Sequence, residues 1–362
     1  MNKARYAAAV IAAVGVSITA GGAAAAIWQY RHAPPVHERS APAAATAAAP
    51  VLPLASSAPY PHAAIHHPGA FHYLGTLEPS TPTTYLPVTR FAGVAGRRPN
   101  ITVYYSPWGA AFRARFVTAA AQTGAVVLVH MEPWHASMTA VADGRWDSYL
   151  HRFAAQVRHY GGQVIMSFAP EADGGWYPWG WHHAEPAEYR AAWRHVVTLF
   201  RQSGASNVTW LWDISGGRRG AGRVQHWWPG HQYVDWVGID GYYVTPADTF
   251  KSVIGDTISA VRKFTKKPIL LSEVGIGPLA GQVKKIPGLF AGIRRNRLLG
   301  LIYFDVAQHD GLYHQDWRLD DNPAAVAAFR AGVRSLREPG SWRGRRVSRG
   351  AGEAAPTASA LR

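Results

Sequence analysis

Between residues 71 and 336, short apolar runs alternate with longer stretches whose apolar residues recur every three or four positions. The runs at 71–77, 101–106, 125–131, 163–168, 208–213, 234–240, 268–273 and 301–307 read as strands buried on both faces. The stretches at 85–95, 110–123, 146–160, 186–203, 247–266, 282–296 and 323–336 carry the helical period. Between the fifth and sixth strands only a short, Trp-rich connection fits. Eight strands alternating with helices predict a (β/α)8 TIM barrel, a single domain at 70–338. An open doubly wound sheet is the competing arrangement, but no GxGxxG or P-loop stands at a strand end.

The flanks differ in kind. Residues 6–30 carry no charge, follow Lys3 and Arg5, and are rich in Ala, Val and Ile. That is long for the apolar region of a signal peptide and just long enough to span a bilayer. Trp28, Tyr30 and Arg31 suit interfacial anchoring, while Ala23 to Ala26 offers a small-residue cleavage site. Residues 1–32 are therefore expected to be a signal peptide or an N-terminal membrane anchor. The rest would be exported, to the extracellular space or the outer face of the cell membrane. Residues 33–69, with eight prolines and no periodic apolar pattern, read as an Ala/Pro-rich linker. Residues 339–362 read as a basic, disordered tail.

Composition trims the list of functions. The net charge is +15, from 37 basic and 22 acidic residues, but much of the excess lies in the tail at Arg343, Arg345, Arg346, Arg349 and Arg362. The folded part has no regular basic stripe. The expected partner of the tail is an anionic envelope rather than nucleic acid. Cysteine is absent, which removes disulfides and thiolate metal sites. His130 with His135, and His182 with His183, lack the spacing of an HExxH site and read as exposed or hydrogen-bonding histidines. No metal or cofactor is expected. There is no GxSxG elbow for serine chemistry.

Two glutamates carry the candidate chemistry. Glu171 lies in Ser167-Phe-Ala-Pro-Glu-Ala-Asp-Gly-Gly-Trp-Tyr-Pro-Trp179, and Glu273 in Pro268-Ile-Leu-Leu-Ser-Glu-Val-Gly275. On the strand count Glu171 follows strand four and Glu273 ends strand seven. Both then reach the C-terminal mouth of a barrel. Two facing carboxyl groups are the minimal equipment for cleaving a glycosidic bond, one as acid and base, the other as nucleophile. Glu132, ending strand three in His130-Met-Glu-Pro-Trp134, reaches the same face. It could hold a sugar hydroxyl in a distal subsite or balance an arginine. The chain has fifteen tryptophans. Trp108, Trp134, Trp176, Trp179, Trp181, Trp227 and Trp228 fall in loop-like contexts and, as a set, suit stacking on sugar rings.

Several of these segments resemble glycoside hydrolase family 26, best known for endo-β-mannanases. They are Gly144-Arg-Trp-Asp-Ser-Tyr-Leu150, Pro170-Glu-Ala-Asp-Gly-Gly-Trp-Tyr-Pro-Trp-Gly180, Trp228-Pro-Gly-His-Gln-Tyr-Val-Asp-Trp-Val-Gly-Ile-Asp-Gly-Tyr242 and Leu271-Ser-Glu-Val-Gly275. Tyr73-Leu-Gly75 and Asp316-Trp-Arg-Leu-Asp320 add to the likeness, which covers about residues 70–337. The resemblance implies Glu171 as acid/base and Glu273 as nucleophile of a retaining double displacement, with carboxyl groups about 5–5.5 Å apart. It implies that Tyr242 stands near the nucleophile and that Asp240 supports that region, although Asp240 could equally cap its loop. Substrate contacts are expected from Trp176, Trp179, Tyr242, Asp240, Glu132, Trp134 and Asp173. Glu171 should be kept protonated by an apolar wall, for which Trp176 and Trp179 are candidates, and Glu273 kept ionised by hydrogen bonds. Typical members read His-Glu-Met-Asn-Gly where this chain has Pro170-Glu171-Ala172-Asp173-Gly174. The added charge of Asp173 should raise the pKa of Glu171.

The resulting expectation is an exported retaining endo-glycoside hydrolase acting on a β-linked polysaccharide. β-1,4-Mannan comes first, with β-glucan or xylan next. A non-catalytic carbohydrate-binding barrel at the cell surface, or an accessory hydrolase trimming the cell's own exopolysaccharide, would be built from the same features.

Overall fold

The structure, a computed structural model, describes residues 70–217, 222–277, 279–307 and 315–336. The expected leader, the linker and the basic tail lie outside the described residues. Among the described residues no helix is long and apolar enough to cross a membrane.

Eight parallel strands close in sequence order into a barrel. They are β1 (Tyr73–Leu77), β2 (Ile101–Pro107), β3 (Val126–Glu132), β4 (Val164–Phe168), β5 (Val208–Ser215), β6 (Trp236–Tyr243), β7 (Ile269–Ile276) and β8 (Gly300–Phe304). The ring closes where β1 pairs with β8, from Tyr73 opposite Gly300 to Leu77 opposite Phe304. The helices are α1 (Leu86–Ala95), α2 (Ala114–Gln122), α3 (Met138–Ala142), α4 (Asp147–Tyr160), α5 (Pro186–Gln202), α6 (Asp256–Val261), α7 (Gln282–Arg295) and α8 (Pro323–Ser335). The fold is the expected (β/α)8 barrel.

Three details depart from the sequence expectation. Helix α3 went unpredicted because five residues hold too little of a helical period; Ser137 caps it, its Oγ accepting from the Ala140 N–H at 3.1 Å. The helix expected over 247–266 is only α6 behind a π-turn at Lys251–Gly255. The helix expected from residue 110 begins at Ala114, and the Phe112 N–H ahead of it is met by the Gln156 side chain at 2.9 Å. Between β5 and β6 run two 3-10 turns, Val224–Trp227 and His231–Tyr233.

Period-two alternation sorts the strand residues into two cores. Outward residues pack under the helices. Helix α5 contributes Tyr189, Ala192, Trp193, Val196, Val197 and Phe200 at helical spacing. Its Trp193 meets Trp210 and Phe168 on the sheet. Each fully buried large side chain contributes roughly 1.5–3 kcal/mol. Inward residues fill the barrel itself: Tyr73, Ile101, Val103, Leu128, Ile165, Leu211, Trp236, Leu270 and Ile302 form one apolar cluster. These lie in the N-terminal and middle parts of their strands. Further along β2 to β7 the inward positions turn polar, and that change marks the site.

Candidate active site

The inward positions toward the C-terminal ends are Tyr105 on β2, His130 and Glu132 on β3, Ser167 on β4, Asp213 and Ser215 on β5, and Asp240 and Tyr242 on β6. All are buried or nearly so. Burying so many titratable groups is costly unless they are hydrogen-bonded, neutralised or used.

Strand β7 joins them through an irregularity. Gly238 pairs with Leu270, but Asp240 pairs with Glu273, so β7 carries one more residue than β6 over this stretch. Alternation alone would put Leu270 and Ser272 inside and Glu273 outside. The bulge turns two successive residues inward. Ser272 Oγ donates to Asp213 Oδ1 at 2.6 Å. Glu273 accepts from the Tyr105 hydroxyl on one oxygen and the Tyr242 hydroxyl on the other.

Glu171 stands just past β4 on a strained turn. Ala169 and Glu171 have φ of 48° and 52°, on either side of Pro170. Left-handed backbone at non-glycine residues costs on the order of 1–3 kcal/mol each and tends to mark working sites. The turn is held at both ends: Glu171 N–H donates to the Asp213 carbonyl at 3.0 Å, and the Glu171 carbonyl accepts from Gly174 at 2.9 Å. On its side chain Oε2 receives Trp176 Nε1 at 3.2 Å.

Burial raises both glutamates, but their polar neighbours differ. Burial pushes Glu171 well above the usual carboxylate range, and the charges of Asp213, Asp173 and Glu132 push it further, against the single Trp176 donor. This is the setting of a carboxyl that keeps its proton, and the contribution of Asp173 is the one expected from the sequence. Burial alone pushes Glu273 up to about 8. Its two phenolic donors act the other way, because a donor stabilises the charged form.

The remaining expected site residues are brought to the same mouth with differing roles. Asp240 sits in register with Glu273 and is raised by burial, then by Asp213 and Glu171. Burial raises Glu132 to about 8; its partner is Trp134 Nε1 at 3.4 Å, not an arginine. Asp173 has both oxygens on Ser215, accepting from its N–H at 2.9 Å and its Oγ at 2.8 Å. It braces the β4 loop against β5.

The loop tryptophans divide. Trp179 is buried, donates to the Pro170 carbonyl at 2.7 Å and stacks on Tyr177 at 4.4 Å, so it braces the turn that carries Glu171. Trp108 and Trp227 are also buried in the core, and Trp228 packs on Trp212 and Phe264. Trp134 and Trp176 remain partly open beside the carboxyl groups, and Trp181 is 37% exposed at the rim. The expected set of sugar platforms thus shrinks, because flat rings that close a barrel end also fill space against one another.

Sequence reasoning missed Tyr105, Asp213 and Ser272. Asp213 had a signal, an acid closing an apolar strand like Glu132 and Glu273. Tyr105 had none, since an inward tyrosine is ordinary core in sequence. His130, expected to be exposed or hydrogen-bonding, is instead fully buried; its Nδ1 lies 3.4 Å from Asp213 Oδ2 and burial lowers its pKa to about 3, so the ring is neutral. Among the described residues no group of three or more His, Cys, Asp or Glu is placed to hold a metal ion.

A closed (β/α)8 barrel with buried carboxyl groups gathered at its C-terminal mouth defines the class: a barrel of the kind that houses active sites there. Within that class, the profile of Glycosyl hydrolase family 26 matches residues 136–320, and the chain belongs to this family. Endoglucanase H of Acetivibrio thermocellus is 27% identical over 264 residues, covering 68% of this chain and 29% of that protein. β-1,3-Xylanase TXYA of a Vibrio species is 28% identical over 135 residues, covering 37% of this chain and 28% of that protein. The chain thus spans under a third of the length of these curated relatives. Among solved structures, an endo-β-1,4-mannanase from Cellulomonas fimi superposes with a TM-score of 0.54 at 19% identity, over 67% of this chain and 65% of that one. A β-mannanase from Bacteroides ovatus gives 0.54 at 16% identity, over 68% and 82%. At such identities the likeness is one of fold.

Proposed function

We propose that the protein is a retaining endo-glycoside hydrolase that cleaves a β-linked polysaccharide, with Glu171 as acid/base and Glu273 as nucleophile. The observation that carries this reading is the pairing of two buried carboxyl groups on one barrel mouth, one beside other acids and the other held by two hydroxyl donors. Glu171 is ringed by Asp213, Asp173 and Glu132, which favour its protonated form. Glu273 is gripped by two hydroxyl donors, which favour its ionised form and fix its orientation.

In the first step Glu273 attacks the anomeric carbon as the bond to the leaving oxygen breaks, and Glu171 gives that oxygen its proton. In the second, Glu171 takes a proton from water, which attacks the anomeric carbon and displaces Glu273. Trp134 and Trp176 flank this centre as apolar surfaces for sugar rings.

β-1,4-Mannan is the first substrate on the motif resemblance. β-Glucan stands beside it, because the relative named an endoglucanase aligns over more of this chain than the β-1,3-xylanases do. Action outside the cytoplasm is part of the proposal and rests on the character of residues 6–30.

The test is reducing-end release from mannan, glucomannan, mixed-linkage β-glucan, β-1,3-xylan and the producing cell's exopolysaccharide. Glu273→Ala should abolish release while the barrel still folds. Glu171→Ala should cost far less on aryl glycosides with a good leaving group than on polymers, because such groups depart without a proton. Full activity in Glu273→Ala would sink the proposal. Polymer binding by the wild type with no release from any substrate would favour a surface binder.

A further inference from the structure

We propose that Asp213 is a positioning residue that ties the Glu171 turn to the strand carrying Glu273. This rests on the acid/base reading given above.

The tie is made by two different parts of one residue. The Asp213 carbonyl accepts the Glu171 N–H at 3.0 Å, pinning a turn whose φ of 52° at Glu171 needs external support. The Asp213 carboxylate accepts Ser272 Oγ at 2.6 Å. Ser272 is the bulge residue immediately before Glu273, so this bond holds the irregularity that turns Glu273 inward. The contact passes over bare backbone. A Cβ on Gly238 would stand 2.4 Å from Asp213 Oδ1 and 2.6 Å from Ser272 Oγ, so the barrel wall leaves that space open for the pair.

The electrostatic role follows from who faces Asp213. His130 looks in from β3, Glu171 and Asp173 from the β4 turn, Asp240 from β6, Ser272 from β7 and Tyr189 from α5. The His130 imidazole is neutral there and brings no positive charge. Burial raises Asp213 itself to about 7. After burial itself, Asp213 is the largest influence on Glu171, ahead of Asp173 and Glu132. Once ionised, above that value, Asp213 makes loss of the Glu171 proton costly.

The test compares the full-length wild type with Asp213→Asn, which keeps shape and removes charge. The pH profile of kcat/KM is recorded on the best polymer and on a dinitrophenyl oligosaccharide, whose leaving group needs no proton. On the polymer the alkaline limb of Asp213→Asn should move about one pH unit lower, since a neighbouring like charge acts on that scale. On the dinitrophenyl substrate the alkaline side should stay where the wild type has it. An unmoved limb on the polymer overturns the electrostatic role. Whether or not Asp213→Asn folds, Ser272→Ala tests the tie: it keeps the charge, cuts the bond, and should lower kcat about tenfold with KM nearly unchanged. Wild-type kcat in Ser272→Ala overturns the tie. Loss of all turnover in Glu273→Ala alongside either negative result leaves the catalytic assignment standing and removes only the role of Asp213.

Discussion

Removing a phenol from Glu273 should move the acidic side of the pH profile upward. Tyr105 and Tyr242 each donate to one oxygen of a carboxyl group that is 1% exposed, and burial by itself carries that group up to about 8. A hydrogen bond to a charged group contributes roughly 1.5–3 kcal/mol. Since one pH unit corresponds to about 1.36 kcal/mol, losing one donor should raise the Glu273 pKa by about 1–2. The nucleophile must be ionised, so the acidic limb of kcat/KM moves to higher pH by that amount. Well below the limb the rate then falls on the order of tenfold or more. Tyr105→Phe is the cleaner variant, because its ring fills the barrel interior and deletion of one oxygen leaves the packing with Ile101 and Val103 intact. The assay is reducing-end release across the pH range, with circular dichroism to verify folding. Acidic limbs that coincide with wild type in both Tyr105→Phe and Tyr242→Phe would refute the idea that these phenols hold Glu273 ionised.

Two further outcomes are expected. Gly238→Ala places a methyl group 2.4 Å from Asp213 Oδ1 and 2.5 Å from a Leu211 methyl, so overpacking should cost about 1–3 kcal/mol and lower Tm by several degrees in a thermal melt; an unchanged Tm would mean the barrel relaxes freely there. Stability should also fall as pH rises. Burial raises Glu78 and Glu132 to about 8 and Asp305 to about 7, from ordinary values near 4. A carboxyl whose folded pKa is raised contributes stability that is fully present below its unfolded pKa and lost as pH climbs through the folded one. Tm measured from pH 4.5 to 8.5 should therefore decline, and a rise across that window would contradict these shifts.

Much of the site was legible because its residues end apolar runs. Glu132, Asp240 and Glu273 each close a run that had to be a buried strand, at the end of the barrel where the mouth forms. Glu171 was legible from the Gly- and Trp-rich loop that follows it. Trp179 and Asp173 were misjudged for a common reason: their local sequence is that of an exposed loop, yet the loop folds back on the barrel. There Trp179 meets the Pro170 carbonyl and Asp173 meets Ser215. Ser215 is 42 residues from Asp173, and no local pattern announces such a partner.

The sequence by itself determined the barrel, the order of its strands and the end at which carboxyl groups would gather. Periodicity and burial are local properties, written into consecutive residues. Only the tertiary structure decided which way Glu273 points, because a single extra residue in β7 against β6 reverses what alternation dictates. It also decided the electrostatic surroundings of the two glutamates. Those depend on Tyr105 from β2, Tyr242 from β6 and Asp213 from β5, groups that closure of the ring brings together across more than a hundred residues of chain.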